Sequence, residues 1–163
     1  MRPGISLPSK LAKQMDRVLK GLRRQTEAEC VLLADVSGQL ISVQGELQGI
    51  DPTLMSALAA ADVVATAELT RLIGGKDPGG AMLREGKRVN VYLFEVARRF
   101  VLIVVFRTTK LAAVVGMAGR RAVEKLRPMV AEFEDQVSAP SPISNRGFGD
   151  TLAEELDKAF GGL

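Results

Sequence analysis

The sequence of 163 residues contains no histidine, no tryptophan and a single cysteine, Cys30. Without histidine, the chain lacks the commonest general base of enzymes and the commonest metal ligand. One cysteine cannot form an intramolecular disulfide, and it cannot supply the thiolate cluster of a zinc site. The composition therefore disfavours a catalytic triad and a His/Cys metal centre, and we predict no catalytic residue, metal site or cofactor.

Two kinds of segment are also missing from the sequence. No glycine-rich stretch has the spacing of a phosphate-binding loop, since five residues separate Gly80 from Gly86, and Arg88 stands where serine or threonine is required. The first nine residues lack the apolar core of a signal peptide, and no run approaches the roughly 20 apolar residues of a membrane span. These absences predict a cytoplasmic protein that has no integral membrane segment and is not an enzyme.

Charge is spread unevenly along the chain. The net charge is +3, but from residue 138 onward Arg146 and Lys158 stand against four acidic residues, namely Asp150, Glu154, Glu155 and Asp157. The body is therefore mildly basic and the C-terminal segment mildly acidic. Aromatic residues make up only 4% of the chain and are not interleaved with the basic ones. We therefore predict an aliphatic core and no nucleic acid partner.

Periodicity and turn residues predict three helices and five strands. The helices span residues 9–25, 51–73 and 109–137, and the strands span residues 28–36, 39–44, 81–85, 88–97 and 100–107. The last strand has no polar alternation, which is typical of burial on both faces, so helices should cover both sides of the sheet. Pro128 predicts a kink or an early end of the third helix near Leu126.

The first two helices carry distinctive surfaces. The first has many basic residues beside its apolar stripe, which predicts a solvated face, with anionic lipid or an acidic partner as the alternative. The second has one apolar stripe of Leu54, Leu58, Ala61, Ala65, Leu69 and Leu72. Its other side is small, with Ala57, Ala60, Val64 and Ala67. Small residues allow another backbone to approach, so we predict a second neighbour on that side, although a high content of alanine also simply favours a helix.

The C-terminal part reads as a linker followed by an amphipathic tail. Residues 138–149 are rich in Ser, Pro and Gly, and residues 150–163 contain a capping box of Thr151 and Glu154. Large apolar residues recur every four positions, at Phe148, Leu152, Leu156 and Phe160. Because so short a helix is not stable alone, we expect these four residues to dock on the domain or on a partner.

The order of elements resembles the roadblock/LC7 family over residues 9–137. The sharpest segments are VLLADVSGQLIS at 31–42, Gly-Ile-Asp at 49–51 and Leu-Ile-Gly at 72–74. These segments, and the acidic tail after a Pro/Ser linker, resemble the bacterial gliding-motility branch of the family. The resemblance implies a layered α/β (α+β) fold. In that fold a five-stranded antiparallel sheet has the second helix on one face and the first and third helices on the other.

The same resemblance implies a homodimer that binds a small Ras-like GTPase. The copies would pair through residues 81–85 and the second helix, and the GTPase would contact that helix at Ala57, Ala60, Ala61, Val64, Ala67 and Glu68. The branch implies a GTPase-activating protein that repositions the GTPase's own catalytic residues. Arg71 is the residue to test as an arginine finger. The alternative interpretation is that Arg71 is only a favourable positive charge at the C-terminus of the helix.

Two other functions remain open at the level of sequence. A dimeric scaffold or adaptor would use the same surfaces without changing nucleotide turnover. A small-molecule sensor is a third possibility, since helix-covered sheets can hold ligands, but the lack of His and Trp disfavours a specific polar pocket.

Overall fold

The structure is a computed structural model that describes residues 6–76, 80–138, 154 and 156–161. The chain divides into two units, residues 1–131 and 132–163. Eight elements follow one another in the order α1 (Ser9–Thr26), β1 (Cys30–Asp35), β2 (Leu40–Gly45), α2 (Pro52–Leu72), β3 (Ala81–Arg84), β4 (Val89–Val96), β5 (Phe100–Arg107) and α3 (Ala112–Ser138). The first unit contains every strand.

The five strands form one antiparallel sheet in the order β2-β1-β5-β4-β3. Strand β5 lies at its centre, and its residues from Phe100 to Phe106 are fully buried. Because alternate side chains of a strand point to opposite faces, complete burial requires a cover on both sides. The predicted double burial of this strand is therefore confirmed.

Helices cover both faces of the sheet, as the sequence predicts. On one face, Ala59, Ala60 and Val63 of α2 pack over a cluster that includes Leu32 and Ile103. The other face is covered by α1 and α3, whose buried residues are Leu11, Met15, Leu19 and Leu22 in α1, and Val115, Ala118, Ala122 and Leu126 in α3. The layered α/β fold with one helix opposite two is confirmed.

Two glycines bring α3 close to strand β4. A Cβ atom on Gly116 would lie 3.0 Å from the hydroxyl of Tyr92, and one on Gly119 would lie 2.2 Å from the ring of Phe94. The two rings stack with their centroids 5.0 Å apart. The helix can therefore lie directly on this aromatic pair only because neither position carries a side chain.

Two features of the helices differ from what their sequence patterns suggest. The apolar stripe of α2 points away from the sheet: Leu54, Leu58, Leu69 and Leu72 are exposed, and the residues that pack on the sheet are Ser56, Ala59, Ala60 and Val63. Of the kink or early end predicted near Leu126, the early end is wrong, because α3 continues through Pro128. Proline costs one helical hydrogen bond, but buried Leu126 and Val130 hold the chain against the fold on either side of it.

The second unit contains the end of α3 and a helical stretch at 154 and 156–160. Leu156 and Phe160 of that stretch are exposed. Phe148, Leu152 and most of the predicted linker, 139–149, lie outside the described residues. Docking of the tail through its four apolar residues therefore stays a prediction.

Candidate partner-binding surface on the second helix

The sequence marks both ends of α2. The side chain of Asp51 accepts a hydrogen bond from the backbone N–H of Thr53 at 2.9 Å, and Pro52 occupies the first helical position. Beyond the other end, Gly74 adopts a positive φ of 68°. An N-cap and a left-handed glycine are the usual signals for starting and stopping a helix, and they delimit α2 close to the predicted bounds of 51–73.

The surface of α2 has three strips along its length. An inner strip faces the sheet and consists of Ser56, Ala59, Ala60 and Val63. The opposite strip, which we call the leucine ridge, consists of Leu54, Leu58, Ala61, Ala65, Leu69 and Leu72. Its leucines are between 56% and 74% exposed. The β1–β2 turn lies close to this helix because Gly38 has no side chain: a Cβ on Gly38 would lie 3.0 Å from the Cα of Ala57.

The third strip lies beside a groove, described below, and we call this strip the groove flank. It contains most of the residues predicted to bind a GTPase. Four of its members are exposed, namely Ala57, Val64, Ala67 and Glu68, and Ala61 lies beside them on the leucine ridge. Ala60 is only 1% exposed and packs in the core. Its prediction as a partner contact is wrong, because its side chain points at the sheet.

A groove of about 380 Å³ runs beside this flank. One wall comes from α2 and includes Val64, Glu68 and Arg71, and the other includes Val36 and Arg98 from the hairpin turns. Arg98 and Ala97 both have positive φ, 57° and 51°, and Arg99 N–H donates to Val96 O, the pattern of a type I′ turn. The sequence indicated this turn but gave no sign that it lines a groove.

An ion pair holds Arg71 along its own helix. Its Nη2 lies 2.8 Å and its Nε 3.1 Å from Oε2 of Glu68. Both side chains are largely exposed, so the pair contributes little to stability, but it orients the arginine. The three-residue spacing on a helix could have predicted this contact from the sequence.

On the other side of α2, a second ion pair ties the helix to the edge of the sheet. Arg84 of β3 donates from Nε and Nη2 to the two carboxylate oxygens of Asp62, at 2.9 and 2.8 Å. These hydrogen bonds raise the pKa of Arg84 above its ordinary value. Within the part of the chain that the structure describes, the outer edge of β3 has no strand partner. The leucine ridge and this open edge therefore belong to neighbouring elements joined by the Arg84–Asp62 pair.

The chemistry of this surface is that of binding. Burial raises the pKa of the Cys30 thiol to about 11, so the thiol stays protonated and unreactive at neutral pH. Across residues 6–76, 80–138 and the described part of the tail, no three metal-ligating side chains come together. The exposed surface of α2 offers apolar contacts, one groove and a few surface charges.

Residues 15–106 match the Roadblock/LC7 domain. The chain belongs to the roadblock/LC7 family. Domains of this family typically regulate or tether other proteins, which agrees with the binding character of α2. No curated protein sequence matches the chain significantly.

Solved structures place this roadblock/LC7 chain near the MglB proteins. It is 28% identical to Myxococcus xanthus MglB, with a TM-score of 0.72 over 79% of this chain and 96% of that one. For the gliding protein MglB of Thermus thermophilus, the identity is 26% and the TM-score 0.70, over 81% and 99% of the two chains. For an MglB in a tetrameric arrangement, the identity is 26% and the TM-score 0.71, over 82% of this chain and 99% of that one. The predicted resemblance to the gliding-motility branch is confirmed.

Helix α2 also passes, by length and composition, as a possible membrane span. In this roadblock/LC7 fold, however, its inner strip packs on the sheet and its Asp62 is held by Arg84. Both features are those of a helix on the surface of a folded domain.

Proposed function

We propose that this protein is a homodimeric, cytoplasmic regulator of a small Ras-like GTPase and that it acts as a GTPase-activating protein. The observation that carries the proposal is the surface of α2, which exposes a leucine ridge on one strip and a groove flank on the next. In a chain similar to MglB, we expect each of these two exposed surfaces to bind a partner. We assign the ridge to a second copy of the chain and the flank to the GTPase.

The leucine ridge and the edge of β3 support the homodimer. Four leucines of one helix lie more than half exposed in a single chain, and a contiguous apolar patch of this kind is typical of an interface. An open strand edge is likewise an association site unless it is paired. A copy that pairs with this edge across a two-fold axis would bring its own α2 beside the first one, because the Arg84–Asp62 pair joins the helix to the edge. The tetrameric arrangement of a solved MglB supports self-association in such a fold.

The groove flank supports binding of the GTPase. Ala57, Val64 and Ala67 are small or branched apolar residues at exposed positions, so a partner can approach the helix closely. The groove beside them, with Arg71 and Arg98 in its lining, adds charge to an otherwise apolar contact. Because this flank lies beside the leucine ridge, a dimer could bind a GTPase without opening.

We propose activation by repositioning of the GTPase's own catalytic residues. The arginine on the flank, Arg71, is engaged by Glu68 and lies along its own helix. A finger arginine must instead reach the transferring phosphoryl group. Arg71 is accordingly assigned to orientation of the contact, together with Glu68.

Replacement of Val64 tests the proposed GTPase contact. Val64→Arg places a long charged side chain on an exposed position of the flank, 42% exposed, and should leave the core intact. We expect binding of the small Ras-like GTPase from the same organism to weaken at least about 30-fold, measured by calorimetry. Met117→Arg is the matched control, since Met117 is 54% exposed on α3, across the sheet from α2. Unchanged binding by Val64→Arg, or equal loss in both variants, would refute this assignment.

A further inference from the structure

The outer side of α1 carries a continuous row of cations. Lys13, Arg17, Lys20 and Arg24 are all exposed and follow each other at spacings of three and four residues. They lie opposite the buried Leu11, Met15, Leu19 and Leu22, so the row points away from the sheet. A solvated helix commonly alternates positive and negative charges, whereas this row contains only positive ones.

Helix α3 extends the row into a two-helix surface. An ion pair between Lys110 and Glu27 joins the residue after the end of α1 to the segment just before α3. Arg121 and Lys125 of α3 and Arg17 of α1 line the groove between the helices. We call Lys13, Arg17, Lys20, Arg24, Arg121 and Lys125 the basic face.

Three acidic groups on or next to these two helices have partners outside the basic face. Asp16 accepts a hydrogen bond from Ser42, Glu124 lies 3.5 Å from Arg127, and Glu27 pairs with Lys110. None of the six cations forms an ion pair within the ranges that the structure describes. Six unpaired cations therefore share one side of the molecule.

Exposed apolar side chains adjoin this charge at the start of α3. Leu111, Val114 and Met117 are 72%, 52% and 54% exposed, and they lie near the end of α1 that carries Arg24. Cations surrounding a small apolar patch are typical of surfaces that bind anionic membranes, because the charges attract headgroups and the apolar groups enter the interface. Neither α1 nor residues 112–131 contain an aromatic side chain, which disfavours stacking on nucleic acid bases.

We propose that the basic face binds the surface of an anionic phospholipid bilayer. This surface lies across the sheet from α2, so membrane and α2 partners can bind together. The inference does not depend on a GTPase. If the proposed dimer forms by antiparallel pairing of β3, its two-fold axis is perpendicular to the sheet, and both basic faces lie on the same side. Two linked faces would then bind with avidity.

Vesicle co-sedimentation of the full chain tests this proposal. The probes are vesicles of phosphatidylcholine alone and of equal parts phosphatidylcholine and phosphatidylglycerol. We expect binding to the anionic vesicles only, weakening as salt is added. The double variant Arg17→Glu and Lys20→Glu should bind at least about tenfold more weakly. Met117→Gln should weaken binding without changing the salt dependence.

Matched controls separate the basic face from net charge. Lys87→Glu with Arg88→Glu makes the same charge change at the exposed β3–β4 turn and should retain binding, with circular dichroism confirming that every variant is folded. Equal loss in both double variants would overturn the proposal, as would absence of binding to anionic vesicles. Saturable binding to a duplex DNA probe in the absence of vesicle binding would also overturn it, in favour of nucleic acid.

Discussion

Ser56 is the polar residue on the inner strip of α2. Its side chain is fully buried, and its hydroxyl finds no hydrogen-bond partner among the described residues. A buried hydroxyl without a partner costs about 1 to 3 kcal/mol relative to a satisfied one. Ser42 offers the opposite case, because its hydroxyl donates to the carboxylate of Asp16 in α1. The two serines therefore make opposite contributions to stability.

Replacing Ser56 with alanine should stabilise the protein. Ser56→Ala removes an unsatisfied hydroxyl and improves helix propensity, so we expect the free energy of unfolding to rise by about 1 kcal/mol. Ser42→Ala is the control and should lower it by a similar amount, because a hydrogen bond is lost. Urea denaturation of both variants measures the two changes. A loss of stability in Ser56→Ala would mean that its hydroxyl has a partner in solution.

At the scale of elements, periodicity predicts the strands and α1 well and the orientation of α2 poorly. In α1 the apolar residues fall on one side and the cations on the other, so the buried face is unambiguous. Helix α2 is apolar on nearly every side, so the positions of its apolar residues do not show which side is buried. The bulkiest stripe looks like the core, but the space over the sheet is filled by Ala59, Ala60 and Val63.

Contacts between distant residues lie beyond what the sequence alone can predict. Asp62 and Arg84 are separated by 22 residues, and their pairing follows from the way α2 crosses the edge of the sheet. Arg98 reaches the groove because its hairpin turn ends beside α2. By contrast, the cap at Asp51 is a local signal and was predictable. For the candidate site, five of the six residues predicted on α2 are exposed and Ala60 is buried, because periodicity alone did not show which side of this helix lies on the sheet.

Two glycines in helices test the close packing of α3 on the sheet. Gly119→Ala would force a Cβ into the Phe94 ring, so we expect the free energy of unfolding to fall by about 1 to 3 kcal/mol. Gly21→Ala in α1 is the matched control, because no heavy atom lies within 4 Å of its added Cβ. This alanine should raise the free energy of unfolding by about 0.5 to 1 kcal/mol. Thermal denaturation compares the stability of the two variants. Stabilisation in both would contradict the close approach.

At the scale of the whole molecule, the sheet separates two surfaces of different chemistry. The α2 side carries the leucine ridge and few charges, whereas the α1–α3 side carries the basic face. Exposed apolar surface favours a permanent contact with another protein, and unpaired cations favour contact with an anionic partner. One small domain could therefore bind another copy, a regulated partner and a membrane on separate surfaces.

Charges on the leucine ridge should break the proposed homodimer. Leu58→Glu with Leu69→Glu puts two carboxylates on the ridge at exposed positions, so the fold should survive while self-association is lost. Analytical ultracentrifugation should show the variant as a monomer at concentrations where the parent chain is a dimer. Leu111→Glu with Met117→Glu, on the other side of the sheet, should remain dimeric. A parent chain that is monomeric throughout would refute the dimer.

Single-turnover GTP hydrolysis tests the central claim most directly. The small Ras-like GTPase of the source organism is loaded with GTP, and hydrolysis is followed with and without this protein. We predict a large acceleration that Val64→Arg abolishes and that Arg71→Ala retains within about tenfold, since losing an arginine finger costs about 10³- to 10⁵-fold. Loss of that size in Arg71→Ala would contradict activation by repositioning. Binding with unchanged hydrolysis would contradict the activator and leave a scaffold.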